Sequence, residues 1–391
     1  MRILIVLTYY RPHTSGLTIY AERLARALAR RGHQVTVFTT QYDRALPLEE
    51  MMDGVRVIRS PILLKISKGV ISPTFGYRVT GLVRQADVIH LHLPQFDAAG
   101  VALRGRIFGK PSVITYHCDL LLPRGIFNTL VNQVVHIMNH LAAIFTNQVI
   151  TYTQDYADHS PYLRKYLKKV KIIQPPVILP TATARSAKEF AIKNQLIGKG
   201  PFIGMAARFA TEKGVEVLLD AMPSILQKFP KAMVLFAGQY LNVIGEDQYA
   251  ARLFPRIQEL VDLGHWKWLG VIGQDEMAAF YQNLHVLTVP SLNSTESFGL
   301  VQVEAMMNGV PVAASNLPGV RQPIRMTGMG EIFEIGDSTM LSEKICSILE
   351  SHQNYIKDPS RIINHFSPDT VASLYEKLFE SLLVEGKSRY A

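Results

Sequence analysis

The sequence predicts an α/β chain made of two doubly wound, Rossmann-like parallel-sheet domains that face each other across a cleft. Three observations carry the prediction. Short apolar runs alternate with helical patterns along both halves. The first run, Ile3–Leu7, is apolar at every position rather than at every second one, as a parallel strand buried on both faces must be. A proline-rich break near residue 175 separates halves of different charge. A length of 391 residues exceeds one domain of about 100–200 residues. With 48% hydrophobic and 19% charged residues there is apolar matter for two large cores, which excludes an unfolded chain.

The first strand is read at Ile3–Leu7, an apolar run that ends at Thr8 and is too short for the core of a secretory leader. Gln34–Phe38, Val55–Ile58, Val88–Leu91, Ser112–Tyr116 and Gln148–Thr151 follow in the first half. The second half holds Phe202–Ala206, Ala232–Ala237, Trp266–Leu269, His285–Thr288 and Pro311–Ala314. The first helix carries Leu17, Tyr20, Leu24 and Leu28 at helical spacing, and Arg23, Arg26 and Arg30 read as its solvated or membrane-facing side. Pro175-Pro176-Val177-Ile178-Leu179-Pro180 and the Thr/Ala/Lys-rich stretch on to Pro201 read as a hinge-like linker. The expected domains are therefore residues 1–172 and 173–367, with a last helix from Pro368, in residues 368–391, crossing back to the first. No run of 18 apolar residues occurs, so no membrane-spanning helix is expected. Cys118 and Cys346 are the only cysteines and lie far apart, which fits a reducing, cytoplasmic setting without a disulfide.

Ligands of open parallel sheets bind beyond the carboxyl ends of the strands, so strand-to-helix turns are where chemistry belongs. After the first strand stands Thr14-Ser15-Gly16. Gly16 would let a ligand approach the helix N-terminus, or Thr14 or Ser15 simply caps that helix. After Phe202–Ala206 comes a turn in which Arg208 and Lys213 straddle the approach to a helix. Two such cations suit a diphosphate, because charge-assisted hydrogen bonds and a helix start converge there; loop cations are also ordinary solvated groups. The third turn, Pro290 to Ala305, holds Glu296 and Glu304 eight residues apart. With a helix after Gly299 the two carboxylates would lie about two turns apart along one face. Ser297, Phe298, Gly299 and Leu300 would then offer free backbone N–H groups to an anion or sugar oxygen, the plainer alternative being one capping and one surface glutamate.

In order, these pieces make the sequence resemble the family 4 glycosyltransferases, retaining enzymes of the GT-B architecture, over nearly the whole chain. The resemblance rests on Gly16, Arg31-Gly32-His33-Gln34-Val35, Asp87-Val88-Ile89-His90-Leu91-His92 and Thr115-Tyr116-His117 in the first half. In the second it rests on Arg208 with Lys213-Gly214, and on Glu296-Ser297-Phe298-Gly299-Leu300 with Glu304-Ala305 and Gly309-Val310-Pro311-Val312. It implies a nucleotide-sugar held by the C-terminal domain, with Arg208 and Lys213 as diphosphate clamp and Glu304 as ribose ligand. Glu296 and the Ser297–Leu300 backbone would contact the donor sugar, His117 would approach the transferred sugar, and Gly16 would lie near the donor phosphate. Leu17 stands where the family usually has a second glycine. The catalytic set implied is thus His117, Arg208, Lys213 and Glu296. Fixed cations stabilise a leaving diphosphate, and no Asp-x-Asp occurs, so neither a metal nor another cofactor is expected. The donor is expected to be a GDP- or UDP-sugar. Thr115-Tyr116-His117-Cys118-Asp119 resembles surface-polysaccharide mannosyltransferases and favours GDP-mannose.

The expected activity is transfer of a mannose- or glucose-type hexose to a glycan or lipid-linked acceptor. Two other readings stay open: a nucleotide-sugar epimerase on the same architecture, and a non-catalytic nucleotide- or nucleic-acid-binding protein. Aromatic RNA-binding motifs are absent, so no nucleic acid is expected as partner. Residues 1–180 carry 22 Lys and Arg against 10 Asp and Glu, whereas residues 181–391 carry 19 against 22. From Gly125 to Gln154 no side chain is charged, and Asn128, Asn132, His136, Asn139 and His140 recur at helical spacing. This is either a buried helix whose polar stripe lines the cleft, or part of a seat on an anionic membrane together with Lys65, Lys68, Arg78 and Arg84.

Overall fold

Every apolar run singled out in the sequence becomes a strand. The computed structural model describes residues 1–66, 69–120, 126–178 and 182–388. It divides into unit 1, Met1–Pro176 with Phe366–Ala391, and unit 2, Val177–His365. Lys68, Leu179 and Pro180 lie outside the described residues, as does the side chain of Asn128.

Unit 1 contains β1 (Arg2–Val6), β2 (Gln34–Gln41), β3 (Glu49–Met52), β4 (Val55–Pro61), β5 (Leu64–Ile66), β6 (Gly69–Ile71), β7 (Val88–Leu93), β8 (Ser112–Tyr116), β9 (Gln148–Thr151) and β10 (Val170–Ile172). One sheet runs β10-β9-β8-β7-β1-β2-β4-β3, parallel except for β3 against β4, while β5 and β6 form a separate hairpin. Helices α1 (Gly16–Arg30), α2 (Phe75–Gln85), α3 (Ala98–Ile107), α4 (Ile126–Phe145) and α5 (Gln154–His159) connect the strands. Ile3 to Val6 are sealed from solvent. β3, β5, β6 and β10 were not expected, because they are short and, like Glu49-Glu50 on an edge strand, lack an apolar run.

In unit 2 the strands β11 (Phe202–Ala206), β12 (Met233–Ala237), β13 (Trp266–Gly270), β14 (Val286–Val289), β15 (Val312–Ser315) and β16 (Gly330–Phe333) form one wholly parallel sheet. Its order is β13-β12-β11-β14-β15-β16. Helices α6 (Ala184–Lys193), α7 (Val215–Lys228), α8 (Asp247–Asp262), α9 (Gln274–Gln282) and α10 (Leu300–Met307) connect them, and α7 and α8 bring Leu218, Met222 and Leu253 onto Ile203, Phe236 and Trp266 of the sheet.

Three expectations need correction. The stretch up to Pro201 is not a linker: Thr183 caps α6 through a reciprocal capping box with Ser186, and Phe190 and Ala191 are buried. Asn283 Nδ2 also donates to Ala187 O at 3.0 Å. Thr, Ala and Lys serve a capped helix as well as a loop, so composition alone misread it. Arg23 is not on a solvated face; it is 7% exposed and donates to Pro176 O at 3.3 Å. The reason is that α1 is also covered by the C-terminal helix Pro368–Ser388, through Tyr20 to Tyr375 at 2.7 Å and Arg30 to Asp369 at 3.3 Å. Helix α4 is not buried throughout. Asn139 points inward and accepts the Gln95 N–H at 3.4 Å, whereas Leu130, Val134, Ile137 and Ile144 are exposed.

Candidate active site

In both sheets the strand order reverses about one gap, between β1 and β7 in unit 1 and between β11 and β14 in unit 2. Loops leaving such a gap depart in opposite directions and open a crevice at the carboxyl ends of the strands.

In unit 2 the turns after β11 and β14 run against each other, and the Leu292 N–H donates to Glu212 O at 3.0 Å. Gly214 lies at φ 66°, and a Cβ there would stand 2.1 Å from Pro290 O, so only glycine lets the two turns touch. Across this seam Lys213 Nζ is 2.6 Å from Glu296 Oε2, each side chain about one-fifth exposed. Arg208, half exposed, pairs with Glu212 Oε1 at 3.0 Å. Each cation of the expected clamp thus has its own carboxylate partner. Glu212 was passed over in the sequence, although its i,i+4 spacing from Arg208 was a readable signal.

The helix expected after Gly299 is there, as α10 from Leu300, but Glu296 lies in the turn before it and only Glu304 within it, so the two carboxylates do not share a helical face. Nor is every N–H of the turn free: Gly299, at φ 78°, donates to Glu296 Oε1 at 3.0 Å. A glutamate three residues before a left-handed glycine folds back on the turn, which places its second oxygen on Lys213. Ser297 and Phe298 are buried, and the Gln302 amide pins the turn by donating to Phe298 O at 3.0 Å and Val320 O at 2.9 Å. Glu304 accepts the Tyr281 hydroxyl at 3.1 Å.

In unit 1 Ser15 caps α1, accepting the Thr18 N–H at 3.2 Å, and the exposed Gly16 opens the helix with free space where a Cβ would sit. His117 follows β8 and is 6% exposed. Its Nδ1 meets the Tyr152 hydroxyl, its Nε2 lies 2.8 Å from His92 Nδ1, and the Tyr20 ring stands edge-on at 5.0 Å. Burial, with His92 beside it, pushes His117 well below the ordinary histidine range, and burial pushes His92 down to about 3. Both rings are therefore neutral hydrogen-bonding groups. His90 is buried too, with Nε2 2.7 Å from Thr115 Oγ1.

Residues 187–365 match the family described as glycosyl transferases group 1, and residues 15–172 match the glycosyl transferase 4-like domain. The chain belongs to these glycosyltransferases. It is 25% identical to the phosphatidyl-myo-inositol mannosyltransferase of Mycobacterium leprae, across 99% of this chain and 98% of that protein. It is 26% identical to D-inositol 3-phosphate glycosyltransferase 1 of Catenulispora acidiphila, across 89% of this chain and 84% of that one. The solved structure of Anabaena HepE in complex with UDP-glucose has the same GT-B fold, with a TM-score of 0.78 at 19% identity over 97% of this chain and 100% of that one. In this glycosyltransferase, Arg208, Lys213, Glu296, Ser297, Phe298, Gly299, Leu300 and Glu304 gather on the β11 and β14 turns and on α10 of unit 2, while Gly16 and His117 belong to unit 1. Sequence reasoning missed the polar groups that hold them: Glu212, Gln302, Tyr281, Tyr152 and the direct bond from His92.

Proposed function

We propose that this glycosyltransferase moves a mannose- or glucose-type hexose from a nucleoside diphosphate sugar to a glycan or lipid-linked acceptor, with retention at the anomeric carbon and without a metal. The observation that carries the reading is the seam in unit 2, where Arg208 and Lys213 stand on the turn after β11 at the sheet's reversal point and Lys213 meets the turn that leads into α10. Transfer breaks the bond between the anomeric carbon and the β-phosphate oxygen, whose new charge the two cations stabilise. In a front-face departure the acceptor oxygen bonds to the same face of that carbon and passes its proton to the leaving phosphate oxygen. No enzymic nucleophile is needed, and a neutral, buried His117 suits a shaping role at the sugar. Glu296 and the backbone of Ser297, Phe298 and Leu300 would take donor hydroxyls and Glu304 the ribose, the Gly299 N–H being held by Glu296. The mycobacterial relative's name supports mannose and an inositol-lipid acceptor; the HepE complex supports a UDP-sugar. Incubating the chain with GDP-mannose or UDP-glucose and phosphatidylinositol vesicles tests the reading. Nucleoside diphosphate released only with acceptor present is the expected result, and release independent of acceptor, or epimerised donor, would count against it.

We also propose that unit 1 rests on the cytoplasmic face of an anionic membrane. Leu103 and Ile107 of α3 and Leu130, Ile137 and Ile144 of the adjacent α4 are exposed apolar groups. Arg106, Lys165 and Lys168 are exposed cations, and the single carboxylate between residues 98 and 154, Asp119, is buried. Of the basic residues first named, Lys65 and Arg84 are exposed, but Arg78 is engaged with Arg59 O at 3.1 Å. Among the described residues no helix is long and apolar enough to cross a membrane, so the association would be peripheral. Vesicle flotation that ignores both anionic lipid and an Ile137→Gln/Ile144→Gln substitution would rule this out.

A further inference from the structure

We propose that His92 and Tyr152 are positioning residues, which hold the His117 imidazole in one orientation and one tautomer so that its ring keeps the shape it gives to the place of the transferred sugar. The inference rests on the reading of His117 given under Proposed function.

The arrangement follows from strand geometry. Residues two apart on a strand point to the same side, so His90 and His92 of β7 share a face. Parallel pairing sets His92 opposite Thr115, and the next same-side residue after Thr115 is His117. Tyr152 stands just past the end of β9, the next strand over. Three adjacent strand ends thus deliver the row Tyr152, His117, His92. The two imidazoles stack at 5.1 Å, and the Tyr20 ring stands edge-on to His117 at 5.0 Å.

A neutral imidazole carries one N–H and one acceptor nitrogen. If the Tyr152 hydroxyl donates to His117 Nδ1, His117 must donate from Nε2 to His92 Nδ1, and the His92 proton then sits on Nε2. Reversing the polarity reverses every one of these assignments. In either case neither ring changes tautomer, or flips, without the other. The far nitrogen, His92 Nε2, is buried without a hydrogen-bond partner among the described residues. Within them the His92 ring is bonded only toward His117.

A second row lies alongside: Tyr20 to Tyr375, Tyr375 to Thr115 and Thr115 to His90, each at 2.7 Å. Tyr375→Phe interrupts that row without touching a nitrogen of His117, which makes it the control.

The experiment uses the full chain labelled with 15N-histidine. It reads the ring-nitrogen shifts of His117 together with kcat and the KM for the nucleotide-sugar. His92→Leu and Tyr152→Phe are expected to move the His117 nitrogen shifts and lower kcat about tenfold, the worth of one ordinary hydrogen bond, with KM within about twofold. His92→Asn, whose amide reaches the Nδ1 position, is expected to restore kcat to within about threefold. Tyr375→Phe should leave the His117 shifts in place. Parental shifts and kcat in folded His92→Leu and Tyr152→Phe would overturn the proposal. So would a loss of kcat that tracks thermal stability across all variants, His92→Asn included. Should His92→Leu fail to fold, Tyr152→Phe, which loses a single oxygen, carries the test. The nitrogen shifts decide the lock by themselves, and turnover of the unsubstituted chain decides the reading beneath it.

Discussion

Replacing Lys213 by methionine keeps the aliphatic stem and removes only the ammonium, 2.6 Å from Glu296 Oε2. Both side chains keep about one-fifth of their exposure, so Glu296 can rehydrate, and its other oxygen still accepts the Gly299 N–H at 3.0 Å. The loss of stability should therefore be about 1 kcal/mol or less, as for a partly solvated ion pair. The catalytic loss should be larger. An ammonium facing the charge that develops on a leaving phosphate is comparable to one oxyanion-hole donor, about 3 kcal/mol, which is on the order of 100-fold in kcat/KM. The assay is initial nucleoside diphosphate release at saturating acceptor, with a thermal melt of the same sample. The melt separates the two roles: if the pair merely ties the turns together, activity should fall only as far as stability does, whereas if Lys213 serves the phosphate, activity should fall in a protein still folded at the assay temperature. A folded Lys213→Met enzyme within about threefold of the parent kcat/KM would refute the assignment.

Gly214→Ala should destabilise unit 2 by more than about 1–2 kcal/mol, since a Cβ in a left-handed conformation would also stand 2.1 Å from Pro290 O; an unchanged chemical-denaturation midpoint would contradict this. Acid should unfold unit 1. Burial holds His90, His92 and His117 below the ordinary 6.5, so the unfolded chain binds protons that the folded one refuses. Their contribution is complete above about pH 6.5 and falls as pH drops below it, for His92 down to about 3, by up to about 1.4 kcal/mol per pH unit for each histidine. Asp97, whose carboxyl burial raises to about 6, opposes this with a single proton. Thermal melts from pH 7.5 to 4.5 should show the decline, and His92→Asn should flatten it. Turnover is expected to survive prior treatment with a strong chelator, and loss of activity restored by a divalent cation would show that the two cations do not suffice.

Much of the architecture was legible because strands buried on both faces must be apolar throughout, so Ile3–Val6 or Phe202–Met205 announce themselves. Glu49–Met52 did not, since an edge strand needs no apolar run. The α6 helix hid in a Thr/Ala/Lys stretch whose capping box shows only once Thr183 and Ser186 are seen bonded to each other. The positions of Arg208, Lys213 and Glu296 followed from turn chemistry, but their pairing did not. Which carboxylate meets which cation depends on β11 lying beside β14, a contact between residues far apart in the chain. Arg23 was misjudged for a similar reason: the C-terminal helix that covers α1 begins more than 300 residues later. The histidine row of unit 1 likewise exists only because β7, β8 and β9 are neighbours.

Titration calorimetry of the full chain with GDP, UDP and ADP shows most directly whether the seam of unit 2 holds a nucleoside diphosphate. One of the three is expected to bind and to raise the melting temperature, with Lys213→Met and Arg208→Ala each weakening Kd by about tenfold or more. Binding of none of them, or binding that both substitutions leave untouched, would contradict it.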